Sequence, residues 1–105
     1  MRPIYFTLTN GQSQIVPLDI YLTPFQVSIE CEVVTAATYG VETTRDNVQD
    51  PTVTPLWSNS DVAALNPGAV ATQRGVQTTP VTALRVSMTA GAGSLKVRIV
   101  QTGVR

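Results

Sequence analysis

The chain has 105 residues, a length that suits one domain, and its seven basic and seven acidic side chains give no net charge. It contains no histidine and only one cysteine, Cys31, which rules out an internal disulfide and removes the commonest general base and metal ligand. We therefore expect a protein that is not an enzyme, holds no metal or cofactor, and binds neither a small-molecule substrate nor nucleic acid. Because charged residues make up only 13% of the sequence, against roughly 25% on average, part of the surface is expected to be covered by partners.

The first half of the chain begins with two predicted strands, residues 4–9 and 14–18, separated by the turn dipeptide Asn10-Gly11. The N-terminal residues lack the apolar run of a signal peptide, and no stretch approaches the ~20 apolar residues that span a bilayer. Neither export by that route nor a membrane location is expected.

The third predicted strand, residues 26–33, alternates strictly between apolar and polar side chains, as a half-buried strand requires. Its apolar face includes Cys31, for which we expect a buried and unreactive thiol. Its polar face carries Glu30 and Glu32, which we assign to the outer face of the sheet or to ion pairs rather than to acid–base catalysis.

The middle of the chain carries weaker signals. Strands are predicted over residues 39–44, near 53–57 and near 71–77, and a single helical turn over 61–65, capped by Ser60 or Asp61 and ended by Asn66-Pro67-Gly68. The polar stretch 45–51 is predicted to be an exposed turn, because it has neither the glycine nor the closing glutamate of a calcium-binding loop. Trp57 is expected to be an anchor in the core or at its rim rather than a platform for sugar stacking.

The last two predicted strands, residues 84–89 and 95–99, also alternate and are joined by Gly91-Ala92-Gly93, which predicts a C-terminal hairpin. Seven or eight short strands in one chain predict an all-β domain over residues 1–105, either a β-sandwich or a jelly roll. The alternating strands predict a core that contains Val27, Ile29, Cys31, Val33, Leu84, Val86, Met88, Leu95, Val97 and Ile99.

Charge is segregated along the sequence. Residues 1–61 hold seven acidic and two basic groups, a balance of −5, whereas residues 62–105 hold five basic groups and no acidic one, a balance of +5. In the predicted hairpin, Val86 beside Val97 would place Arg85 opposite Arg98, so acidic groups from this chain, another subunit or a partner must compensate. The predicted protein interface therefore comprises Glu30, Glu32, Arg74, Arg85, Lys96 and Arg98.

The order of motifs across residues 26–101 resembles that of small virion proteins of tailed bacteriophages. The matching pieces are Val27-Ser28-Ile29-Glu30, then Ala37-Thr38-Tyr39-Gly40-Val41-Glu42-Thr43-Thr44 with Asp46 close behind, Pro55-Leu56-Trp57-Ser58, Pro80-Val81-Thr82-Ala83-Leu84-Arg85-Val86, and Lys96-Val97-Arg98-Ile99-Val100-Gln101. The resemblance implies a virion component made in the host cytoplasm, such as a capsid cement or decoration protein, which is often a trimeric sandwich seated on the coat lattice.

Two functional classes remain open at the level of sequence. One is a capsid cement or decoration protein that contacts the major capsid protein or another virion protein. The other is a carbohydrate- or receptor-binding β-domain of a phage fibre or tail, which should expose Tyr39 or Trp57 in a groove. The segregated charges favour a homo-oligomer, because one subunit's acidic surface can meet the next subunit's basic surface. The expectation of a trimer comes from the resemblance.

Overall fold

The computed structural model describes residues 3–21, 23–60 and 62–104, and eight strands account for most of them. The strands are β1 (Ile4–Leu8), β2 (Ser13–Pro17), β3 (Thr23–Val34), β4 (Thr38–Thr44), β5 (Ser58–Asn59), β6 (Gln73–Gln77), β7 (Ala83–Ala90) and β8 (Ser94–Val104). A short 3₁₀ turn, Ala63–Leu65, lies between β5 and β6. The predicted all-β class is confirmed.

The strands form two antiparallel four-stranded sheets that pack face to face. Sheet A has the order β1-β8-β3-β6, and sheet B has the order β2-β7-β4-β5. The first strand pairs with the last, the second with the seventh, the third with the sixth and the fourth with the fifth. A long ribbon of this kind, wrapped so that β8 also meets β3 and β7 also meets β4, is the arrangement of a jelly roll.

The core lies between the sheets and consists of the residues that point inward from alternating strands. Nine of the ten predicted core residues are buried, and the tenth, Val33, is partly buried against them. Alternation in β3, β7 and β8 therefore predicts the inner face correctly. The core also includes Leu8, Val16, Phe25, Ala37, Tyr39, Val41, Leu65 and Val81.

The predicted C-terminal hairpin is wrong. Strand β7 belongs to sheet B and β8 to sheet A, so Val86 lies beside Val41 while Val97 lies beside Cys31. The link Gly91-Ala92-Gly93 turns a corner between the sheets and packs against the neighbouring corner between β3 and β4. The Gly93 N–H donates to the Ala36 carbonyl at 2.9 Å, and a Cβ on Gly93 would collide with the Val34 carbonyl. Glycine is required at this position because the connection between β7 and β8 is in direct contact with the connection between β3 and β4.

Two weaker predictions also need correction. The strand predicted near residues 53–57 is absent from the described chain, which pairs instead at Ser58–Asn59. The predicted helical turn is reduced to the 3₁₀ turn Ala63–Leu65, whose N-cap, Val62, makes no side-chain cap hydrogen bond. The Ser60 hydroxyl donates to the Val62 carbonyl instead, and Asp61 lies outside the described residues. Leu65 is buried, so its contact with the core fixes this short turn.

Candidate protein interface

The outer face of sheet A brings together five of the six predicted interface residues. Strand pairing places Tyr5, Arg98, Glu30 and Arg74 in one row that crosses β1, β8, β3 and β6. A second row holds Thr7, Lys96 and Glu32. Polar residues on one side of each strand therefore converge because the apolar residues on the other side must face the core.

Arg98 is the centre of this face. Its Nη1 lies 3.0 Å from Glu30 Oε1 and 3.0 Å from Glu32 Oε1, so one guanidinium bridges two carboxylates on the adjacent strand. The hydrogen bond to Glu32, together with the negative charges of both glutamates, raises the pKa of Arg98. Of the sources of compensating acid that the sequence left open, glutamates of the same chain pair with Arg98, and Arg85 is not its neighbour.

Two cations on the same face are left without a counter-ion. Arg74 lies in register with Glu30, and Lys96 with Glu32, yet neither makes an ion pair or hydrogen bond within the described residues. They stand on opposite sides of β3, because Arg74 is on β6 and Lys96 on β8. Arg98 balances only one of the two glutamate charges, so with Arg74 and Lys96 the face holds three positive and two negative groups, a net charge of +1.

An apolar row borders the charged rows. Val100, Ser28 and Val76 lie side by side on β8, β3 and β6, and Val76 is 51% exposed. The sequence did not single out these valines, although the alternation of β8 placed Val100 on the outer face. The ion-pair cluster, the two cations and the two valines mix charged and apolar groups, as the contact surfaces of non-obligate complexes do.

Arg85, the sixth predicted interface residue, lies on the outer face of sheet B, away from the other five. Its Nη2 is 2.8 Å from Glu42 Oε1 on β4, and its guanidinium carbon lies 4.6 Å from the centroid of the Trp57 ring. This geometry is a cation–π stack combined with an ion pair. Trp57 is half-buried and serves as a rim anchor on sheet B.

Parts of the outer face of sheet B are covered by the chain itself, although Ile15 on β2 remains 44% exposed. In the segment that joins β4 to β5, residues 45–57, the Asp46 carboxylate accepts the Leu56 N–H at 2.7 Å and Trp57 stacks on Arg85. On another part of the face, a Cβ on Gly40 would collide with the backbone of Pro67. Ala83, which points outward, is consequently buried.

The polar residues of segment 45–57 stabilise turns. Asn47 accepts the Gln49 N–H at 3.0 Å, and Asp50 accepts the Thr52 N–H at 2.9 Å and the Thr52 hydroxyl at 2.8 Å. These hydrogen bonds lower the pKa of Asp50. Among the described residues, no three or more Cys, Asp or Glu side chains cluster in a way that could hold a metal ion.

Two groups with potential chemistry lie in the core. Cys31 is fully buried, and burial, with a smaller contribution from Glu30, raises the pKa of its thiol to about 12. The Tyr39 hydroxyl donates to the Ala71 carbonyl at 2.6 Å, and burial raises its pKa to about 12. The prediction of a buried thiol is confirmed. No helix in the described chain has the length and apolar character to cross a membrane.

Comparison with known proteins identifies no relative: no family model, curated protein or solved structure matches the chain.

Proposed function

We propose that this chain is a non-enzymatic structural protein of a bacteriophage virion, of the capsid cement or decoration type. In this proposal it attaches to the coat lattice through the outer face of sheet A. Two observations support the class: the motif order described above, and the jelly-roll arrangement of the strands, an architecture that recurs in viral capsid proteins. One architecture hosts many functions, so attachment to the coat depends on the residues at the surface of the sheets.

The observation that carries the proposal is the contrast in cover between the two sheets. Part of sheet B is overlaid by Trp57 of segment 45–57 and by Pro67, whereas no described segment overlies the charged and valine rows of sheet A. A partner that covers sheet A would bury Val76 and Val100 and meet a centre in which Arg98 bridges Glu30 and Glu32.

The chemistry of the face specifies the partner surface. Arg74 and Lys96 have no counter-ion in the described chain, so the matching patch on the coat carries carboxylates at two positions separated by the width of β3. Complementary charges of this kind accelerate association and fix orientation more than they add affinity. Apolar contact with Val76 and Val100 then adds to the binding energy.

The geometry of the aromatic residues favours this function over carbohydrate binding. Tyr39 has no exposed surface, and the Trp57 ring is stacked against Arg85. Of the two residues that the carbohydrate alternative requires in a groove, Tyr39 is therefore unavailable and Trp57 has one ring face occupied by Arg85. The proposal includes location in the virion and, from the resemblance alone, three copies at each attachment point.

Quantitative mass spectrometry of gradient-purified particles tests this function. Particles from the phage that encodes the chain should contain it in a fixed ratio to the major coat protein, and cross-links from Lys96 should map to the coat protein. A matched control is Lys96→Arg, which keeps the charge but removes the reactive amine and should abolish those cross-links. Absence of the chain from purified particles would overturn the proposal.

A further inference from the structure

One flank of the sandwich carries no charge. Residues 3–18, which form β1, the turn at Asn10-Gly11 and β2, contain no Asp, Glu, Lys or Arg. Strands β1 and β2 are the outermost strands of sheets A and B on the same side of the molecule. In a chain with fourteen charged residues, a sixteen-residue edge without a single one calls for a physical explanation.

Exposed strand edges normally carry a feature that prevents pairing with another chain, such as a charge, a proline or a covering segment. On the opposite flank, β6 carries Arg74, β5 is only two residues long, and Val62 packs directly onto Gly75. Strand β2 ends in Pro17.

Strand β1 has none of these features within its bounds, Ile4–Leu8. Its outward-pointing Tyr5 is 67% exposed. Its inward-pointing Ile4 and Phe6 touch the core but are only partly buried, because no further strand of the described chain lies beside them.

We propose that β1 pairs with β1 of a second copy of this chain, antiparallel about a two-fold axis at Phe6. The two A sheets would then form one continuous eight-stranded sheet. The free N–H and C=O groups along the edge of β1 would be satisfied by the partner strand, and the half-buried Phe6 rings would shield one another.

The side chains of β1 are arranged symmetrically about Phe6, so the partner strand that fits this edge best is β1 of a second copy. Antiparallel pairing at Phe6 places Ile4 of one copy beside Leu8 of the other, on the core side. It places Tyr5 of one copy beside Thr7 of the other, on the outer side, a combination of aromatic and β-branched residues that stabilises sheets. The absence of charge on residues 3–18 means that two such flanks approach without repulsion.

The size of the flank predicts a weak association. Sixteen residues from each copy fall short of the roughly 20–30 per side in a standard stable interface. The dimer should therefore form reversibly as concentration rises. Pairing at the edge leaves most of the outer face of sheet A open, and dimerisation is measured on the isolated chain, without coat protein.

Sedimentation equilibrium on the full chain over a wide concentration range tests the pairing. The disrupting variant is Tyr5→Glu with Thr7→Glu, which suits the monomer because these positions lie beside Arg98 and Lys96. In the dimer it sets glutamates opposite each other twice, and like charges directly across strands are unfavourable. We expect the dissociation constant to rise about tenfold.

The control for register is Tyr5→Glu with Thr7→Lys, which sets the introduced glutamate of one copy opposite the introduced lysine of the other and should restore association. Melting temperature, measured at a concentration where the wild type is monomeric, shows that each variant folds. If three-fold contacts also exist, the wild type forms six copies and the disrupting variant three. A wild type that remains monomeric or forms only three copies, or a dimer that the disrupting variant leaves intact, would overturn the proposal. None of these results would alter the particle composition that tests coat attachment.

Discussion

The outer faces of the two sheets contain the same kind of ion pair, but they differ in which residues cover it. Each has an arginine at its centre held by glutamate from the neighbouring strand, Arg85 with Glu42 on sheet B and Arg98 with Glu30 and Glu32 on sheet A. On sheet B, Trp57 covers the arginine and the pair is part of the folded structure. On sheet A the arginine remains at the surface, where it bridges two glutamates on a face that no described segment covers. The role of each ion pair therefore depends on whether other residues of the chain cover it.

The largest effect is expected in the core that both faces share. The pKa values of Cys31 and Tyr39 are raised from 9.0 and 10.0 to about 12, so the unfolded chain loses these protons first as pH rises. Stability from these groups is complete below pH 9 and is lost progressively toward pH 12, by several kcal/mol in all. Urea denaturation at a series of pH values measures this loss. The double substitution Cys31→Ala with Tyr39→Phe should reduce the loss of unfolding free energy between pH 9 and pH 12. An unchanged dependence of this free energy on pH would contradict the assignment of the loss to these two groups.

Removal of the aromatic cover should affect sheet B far more than sheet A. Trp57→Ala is expected to lower the free energy of unfolding by about 2 kcal/mol, less than the ~3–5 kcal/mol for a fully buried ring, because Trp57 is only half-buried. The matched change on sheet A, Tyr5→Ala, removes a ring that is 67% exposed and should cost no more than ~0.5 kcal/mol. Chemical denaturation of both variants gives the comparison directly. Equal losses would show that segment 45–57 does not hold sheet B closed.

A smaller difference in the free energy of unfolding is expected between substitutions of Arg85 and Arg98. Arg85→Gln removes the partner of Glu42 and the stack on Trp57, and should cost about 1–2 kcal/mol. Arg85→Lys should rescue little of it, because an ammonium cannot reproduce the planar stack. Arg98→Gln should leave the melting temperature almost unchanged, since the group is exposed and its ion pairs are screened by water. Thermal unfolding in low and high salt distinguishes the two arginines.

The inner faces of the sheets could be predicted from sequence, but the neighbours of each strand could not. Strict alternation in β3, β7 and β8 identifies which side chains point inward, because a strand with one buried face has no other solution. It does not identify the partner strand. The link Gly91-Ala92-Gly93 is short and flexible enough for a hairpin or for a corner between sheets, and the packing of Gly93 against the corner at Val34 and Ala36 selects the second.

The candidate interface was predicted in part for the same reason. Glu30, Glu32, Lys96 and Arg98 converge because β3 and β8 pair, although the sequence pattern paired β8 with β7. Arg85 was assigned to the same face because of that wrong pairing. Residues 45–51 of segment 45–57 were predicted to be an exposed turn. The cover of segment 45–57 over sheet B depends on the stack of Trp57 on Arg85 and on the hydrogen bond from the Thr82 hydroxyl to the Asp46 carbonyl, both between residues distant in sequence. Local patterns do not encode such contacts.

The assignment of the outer face of sheet A as the coat-binding face can be tested by the binding of purified protein to virus particles that lack it. Lys96→Glu changes the charge by two units on the outer face of sheet A, and Arg45→Glu makes the same change at an exposed cation in segment 45–57, away from that face. We expect Lys96→Glu to weaken attachment at moderate salt and Arg45→Glu to bind as the wild type does, and we expect high salt to narrow the difference. Attachment lost with Arg45→Glu and retained with Lys96→Glu would contradict the assignment of sheet A as the coat-binding face.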